Sequence, residues 1–255
     1  CAQCHDHKYD PLSQADFYRL RSVFEPAVHP VKNKSVGTLQ EKNGSPPPSY
    51  LMLRGDFRRQ GPAVVPAFPR IANPAGEQIQ PGQPGAGSSG RRSQLADWLT
   101  RPDHLLTSRV IVNRVWQHHF GRGLVDTPSD FGVMGGSPTH PELLDYLATE
   151  LVQSNWSLKR LHYLIVTSAT YRQASWLEAG SMGEREWRES LKEDPANRWL
   201  SRFPRLRLEG ETLRDVMLAS AGILNTDRGG PGVRPPLPAE IVNTLRKGQW
   251  EVTPE

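Results

Sequence analysis

The chain has 255 residues, and its strictly apolar fraction of 36% is enough for a buried core in one or two domains. Its 31 Lys and Arg stand against 27 Asp and Glu, and this excess of +4 is spread along the chain rather than gathered into a stripe, which argues against a nucleic-acid partner. No run of about 18 apolar residues occurs, so this stretch holds no membrane-spanning helix.

In chain order the first feature is Cys1-Ala2-Gln3-Cys4-His5, which contains both cysteines of the chain. Cys-x-x-Cys-His is the pattern through which a c-type haem is attached: two thiols placed to form thioethers with the porphyrin vinyl groups, then an imidazole that binds the iron. The same residues also allow a zinc site, in which His5 or His7 joins the thiolates and a distant histidine, or a motif kept for structure without a cofactor. The motif opens the chain with no initiator methionine or signal peptide ahead of it, and Gln249 to Glu255 ends without a helix cap or polar tail. The chain is therefore expected to be a fragment, whose lack of a targeting segment says nothing of a longer parent.

Phe17, Leu20, Val23 and Phe24 have helical spacing, with Asp16 as a cap and Pro26 and Pro30 as stops. From about residue 30 to 90 the chain is rich in Pro, Gly, Ser and Asn and reads as loop rather than core, except that Ser49 to Asp56 predicts a short strand and turn. Ser93 then caps a helix carrying Leu95, Ala96, Trp98 and Leu99, closed by Pro102. Thr107 caps a second, with Val110, Ile111, Val115, Trp116 and Phe120 apolar and Gly121 at its left-handed end. Thr139-His140-Pro141-Glu142 reads as a capping box ahead of Leu143, Leu144, Leu147, Ala148, Leu151 and Val152. Ser157 starts a further amphipathic helix, and Leu208 to Leu224 forms another that Gly210 interrupts. The fold expected is mainly α: an irregular helical domain with a long Pro/Gly-rich loop region and a few short strands.

Several long motifs fall in an order that resembles one known pair of domains. Cys1 to Pro11 (Cys-Ala-Gln-Cys-His-Asp-His-Lys-Tyr-Asp-Pro) is similar to the closing motif of the cytochrome-c-like domain of unknown function found in planctomycetes and their relatives. Asn113 to Val125, Thr127 to Gly132, Pro138 to Asp145, Leu164 to Arg172 and Arg207 to Asp215 resemble the partner domain that follows it. The resemblance implies an end of the first domain over 1–30, a loop-rich connector over 31–90, and a truncated helical partner domain over 91–255. It further implies an exported protein in an extracytoplasmic setting (periplasm or cell surface), haem binding, electron transfer and an unidentified redox partner.

If haem is held, Cys1 and Cys4 anchor it and His5 is the proximal ligand. His7 lies too near His5 to reach the opposite iron face and has at most an outer or metal role, whereas His118, His119, His140 and Met134 come from separate segments suited to a distal ligand. Each histidine also has an ordinary explanation, His118 and His119 as helix residues facing the core and His140 at a helix start. The competing function is a surface binding or hydrolytic module, with polysaccharide as a partner. The carboxylates Asp126, Asp130, Glu142, Glu209, Glu211 and Asp215 have no pairing that singles out an acid and a base, and Ser168 lacks a Gly-x-Ser-x-Gly elbow. Arg198 to Arg207, where charges alternate with Trp199, Leu200, Phe203 and Leu206, reads as an edge strand or extended connector over the core.

Overall fold

In a computed structural model of the chain, the described residues are 1–26, 29–32, 37–41, 46–80, 88–104, 106–227, 229, 232, 234–246 and 248–253. The fold is mainly α, with two small hairpins. Its elements are α1 (Gln14–Arg21), β1 (His29–Lys32), β2 (Gly37–Gln40), β3 (Ser49–Met52), β4 (Gln60–Val64), α2 (Arg91–Leu99), α3 (Thr107–Phe120), α4 (Pro141–Gln153), α5 (Leu158–Thr167), α6 (Glu184–Glu193), α7 (Gly210–Ser220) and α8 (Ala239–Val242). Two compact units divide the chain, Cys1–Leu206 and Arg207–Glu255.

The main core of the first unit follows from helical periodicity. Val112, Trp116 and Phe120 recur every four residues along α3 and meet Leu144, Leu147, Ala148 and Leu151 of α4 and Leu161 and Ile165 of α5, all buried. Each such side chain contributes about 1.5–3 kcal/mol on leaving water. Trp116 stacks on Phe120 with ring centroids 4.2 Å apart, and Phe120, Tyr171 and Phe203 continue the aromatic cluster. α3 ends at Gly121 in the left-handed conformation, as its spacing predicts. Just beyond, the completely buried Asn113 clamps the next turn: its Nδ2 donates to the Val125 carbonyl (2.9 Å) and its Oδ1 accepts from the Val125 amide (2.8 Å).

A second core contradicts the reading of 30–90 as loop without core. Val23, Phe68, Ile79, Leu95 and Trp98 are buried together, with Phe68 and Trp98 stacked at 4.5 Å. The low apolar density of this stretch hides it, because single residues from distant points supply the packing. The short strand expected from Ser49 is present as β3, and three more strands accompany it among the described residues. β1 pairs with β2 antiparallel, and β3 pairs with β4, Ser49 opposite Val64, with an irregularity between Tyr50 and Met52.

The helix starts also need correction. Asp16 does not cap α1; Ser13 does, and Asp16 closes a reciprocal capping box three residues on. The box expected at Thr139 does not form, because the Thr139 hydroxyl and amide both donate to the Leu124 carbonyl (3.3 and 2.8 Å); His140 is the N-cap residue, without a side-chain cap, and Pro141 opens α4. Gly90 takes the place given to Ser93, and Thr107 lies inside α3 with its hydroxyl 2.8 Å from His104 Nδ1. Ser157 caps α5 as expected, accepting from the Arg160 amide. The 198–207 segment is a connector with no strand, and α6 was not foreseen.

The second unit holds α7 and α8. Gly210 begins α7 rather than interrupting it. Among its described residues none is buried; the ends are tied locally by Thr253 to Arg234 and by Trp250 Nε1 donating to the Pro235 carbonyl (2.9 Å).

Candidate functional site

The Cys-x-x-Cys-His residues form one helical turn. The Cys1 carbonyl accepts from the Cys4 amide (2.9 Å) and more weakly from the His5 amide (3.3 Å). Within such a turn, side chains three and four residues apart share a face, so Cys4 and His5 both follow Cys1 around one side. Both thiols are free, and Cys1, Cys4 and His5 are all exposed. The His5 ring is fixed by its Nδ1, 2.7 Å from the Asp6 carbonyl. A carbonyl only accepts, so Nδ1 carries the proton and the neutral ring keeps its lone pair on Nε2, the tautomer that a metal-binding imidazole needs.

The turn is held from behind by hydrogen bonds rather than apolar packing. The Gln3 carbonyl accepts from Gln14 Nε2 (2.9 Å) and from the hydroxyl of the buried Tyr18 (3.1 Å), both on α1. Gln14 also donates to the Met52 carbonyl (3.0 Å) at the end of β3, and its amide donates to Asp6 Oδ1 (2.7 Å). α1 itself is anchored by Asp16, only 1% exposed. Burial pushes the Asp16 carboxyl up, but bonds from the Ser13 hydroxyl and amide and the nearby Arg70 guanidinium outweigh it and hold it below the usual carboxylate value. Against Cys4 stands Gly55, at φ +77°, where an added Cβ would lie 2.8 Å from the sulfur. The position requires glycine twice over, for its left-handed backbone and for the space beside the thiol.

After the turn, His7 folds the chain back: its amide donates to the Leu12 carbonyl (2.8 Å), and its Nδ1 accepts from the Asp10 amide (3.0 Å). This presents Asp10 to the loop after α3, where Asp10 Oδ1 accepts from the Val133 amide (2.8 Å). Gly132 packs so closely on that carboxylate that a side chain there would collide with it. The loop is internally braced by Thr127, which donates to the Asp130 carbonyl (2.6 Å) and accepts from the Gly136 amide (2.8 Å).

The other histidines go elsewhere. His119 Nε2 lies 2.7 Å from His162 Nδ1 of α5, and its ring meets Tyr171 edge-on. Burial, and then the neighbouring His162 and His118, push the His119 pKa below its ordinary value. His140 Nδ1 contacts its neighbour Thr139 (3.0 Å), His118 is exposed, and so is Met134. Among the described residues, no hydrogen bond or ring contact joins His118, His119 or His140 to Cys1, Cys4 or His5, and no three His, Cys, Asp or Glu side chains cluster as a metal site would require. Sequence reasoning missed the roles of Gln14, Tyr18, Gly55 and Asp10. Only Asp10 carried a signal, inside the Cys1 to Pro11 motif.

The residue chemistry of the turn fits a covalent haem: two free thiols and an imidazole whose lone pair is on Nε2, with a side chain excluded beside one sulfur. A family model described as PSD1, protein of unknown function (DUF1553), matches residues 91–253, and one described as PSCyt2, protein of unknown function (DUF1549), matches residues 1–29. No curated protein and no solved structure matches the chain. Among the described residues no helix is long and apolar enough to cross a membrane.

Proposed function

Since the chain belongs to the PSD1 (DUF1553) family of proteins of unknown function, no assigned activity comes with it, and from the turn's geometry we propose that it carries a covalently attached c-type haem and serves electron transfer in an extracytoplasmic protein. The observation that carries this reading is the His5 ring, whose Nδ1 is committed to the Asp6 carbonyl, which leaves Nε2 as the lone-pair nitrogen on a turn that also carries two free thiols. Cys1 and Cys4 would hold the group as thioethers, and His5 Nε2 would bind its iron. Bound there, haem supplies reversible one-electron chemistry.

The protein's own part is positional. Gln14 and Tyr18 fix the Gln3 carbonyl and hence the pitch of the turn, and Gly55 leaves room beside the Cys4 sulfur. Asp6 sets the imidazole's tautomer and orientation through its carbonyl. The exposure of the turn leaves an open edge for a redox partner.

The test is a pyridine haemochrome spectrum with intact mass on protein exported through a haem-c maturation system. A c-type spectrum and a mass increase of one haem are expected, both lost in Cys4→Ala. An unmodified mass with two titratable thiols in the same host, alongside a control cytochrome that matures, overturns the reading.

A further inference from the structure

Between α6 and the 194–205 connector lies a cavity of about 400 Å³ that the haem reading does not use. Its walls are Trp176, Trp187, Leu191 and Phe203, and its charged lining is Arg202 and Arg205, with no Asp or Glu among the described lining residues. Volume, aromatic walls and sparse polar groups match a small-molecule site.

Arg202 decides what kind. It is 8% exposed, and its Nη2 donates to the Asp194 and Pro195 carbonyls (2.9 and 3.0 Å). Its Nη1 is buried with no hydrogen-bond partner, and so are the Trp187 indole N–H and, as an acceptor on the same lining, Asn197 Oδ1. Burial raises the Asp194 carboxyl, but its two oxygens accept from the Arg198 and Trp199 amides (2.8 and 2.7 Å) rather than from Arg202 Nη1, and those bonds, helped by the Arg202 charge, hold it below its usual value. A buried guanidinium N–H without a hydrogen-bond partner is costly, and unpaired donors in native proteins are rare. Here two such donors belong to residues lining one cavity with flat aromatic walls. Both donors are closed to a water-sized probe, in the cavity as in bulk solvent, so a ligand reaches them only after side chains at the wall rotate, as commonly accompanies binding.

The geometry points to a binding site for a small carboxylate with a planar apolar body: the carboxylate oxygens take Arg202 Nη1 and Trp187 Nε1, Arg205 adds charge at the rim, and the body lies among Trp176, Trp187 and Phe203. Two donors match the two oxygens of a monoanion, whereas an inorganic dianion would leave the aromatic walls unused.

Titration of the full chain with benzoate, followed by tryptophan fluorescence and calorimetry, tests this against benzamide, its neutral isostere, and inorganic sulfate. Benzoate is expected to bind at least about tenfold more tightly than benzamide or sulfate, the factor a charge-assisted hydrogen bond supplies. Arg202→Met should abolish that preference. Because Arg202 also ties down its own loop and its loss can unfold the region, Arg205→Gln and Trp187→Phe carry the test independently, each weakening benzoate several-fold while the far-UV circular dichroism is unchanged. Equal affinity for benzoate and benzamide, no binding of benzoate up to about 10 mM, or unchanged benzoate affinity in both Arg205→Gln and Trp187→Phe overturns the proposal.

Discussion

The α3–α5 core and the Cys-x-x-Cys-His turn belong to the same compact unit but are stabilised by different physics. The core is built from adjacent helices whose apolar stripes interlock, so stability and shape come from the same buried side chains. The turn buries neither cysteine nor the histidine, and it is held by hydrogen bonds from Gln14 and Tyr18 to the Gln3 carbonyl. Stability is thus concentrated in one region and the proposed haem attachment in the other, and substitutions should separate them.

The largest effect is expected for Trp116→Ala, which removes a buried ring of the main core that stacks on Phe120 and should cost about 3–5 kcal/mol in denaturant unfolding. A loss below about 1 kcal/mol would place the stability elsewhere. Asn113→Ala, which strands the buried Val125 amide and carbonyl, should cost about 2 kcal/mol by the same measurement. In the turn the order reverses. Gly55→Ala should cost about 1 kcal/mol from its left-handed backbone, yet reduce haem incorporation strongly by crowding Cys4. Were incorporation normal, the space beside that sulfur would have no role in attachment.

The smallest effect is a dependence on pH. The His119 pKa lies below its ordinary 6.5 in the folded chain because burial, and then His162 and His118, disfavour the charged ring. The unfolded chain therefore binds the proton more readily, and stability is present above about pH 6.5 and declines as pH falls from there through the lower folded value. His104 shifts the same way, chiefly by burial, and adds to the slope. Melting temperatures between about pH 5 and 7.5 should fall on the acid side and fall less in His119→Gln; identical slopes would assign the effect to His104 and other groups.

How much was readable from sequence depended on whether a segment advertises itself locally. α3, α4 and α5 did, because period-3.6 apolar residues are a property of the segment alone. α6 did not: in Glu184–Glu193 only Trp187 and Leu191 are apolar, one turn apart, and its Glu184–Arg188 pair resembles a solvated charge run. Phe68 and Ile79 were hidden for a related reason, since the buried residues they join, Val23, Leu95 and Trp98, come from other segments of the chain. In the site, Cys1, Cys4 and His5 announce themselves as a motif, whereas Gln14 and Gly55 are ordinary until the fold brings them to it. The capping box at Thr139 shows the opposite error, a correct local pattern lost to a distant competitor, the Leu124 carbonyl.

The hydrogen bond from the Val133 amide to Asp10 spans 123 positions of sequence. Closing so long a loop costs entropy before any contact compensates for it, while the bonds of the Cys1 carbonyl close over only a few positions and are then backed by Gln14 and Tyr18 nearby in sequence. The two should therefore form on different clocks: the turn within microseconds and repeatedly, the Asp10 clasp only once α3 and its following loop are in place. In a refolding experiment Asp10→Ala should leave the folding rate unchanged and speed unfolding, the mark of a contact absent from the transition state.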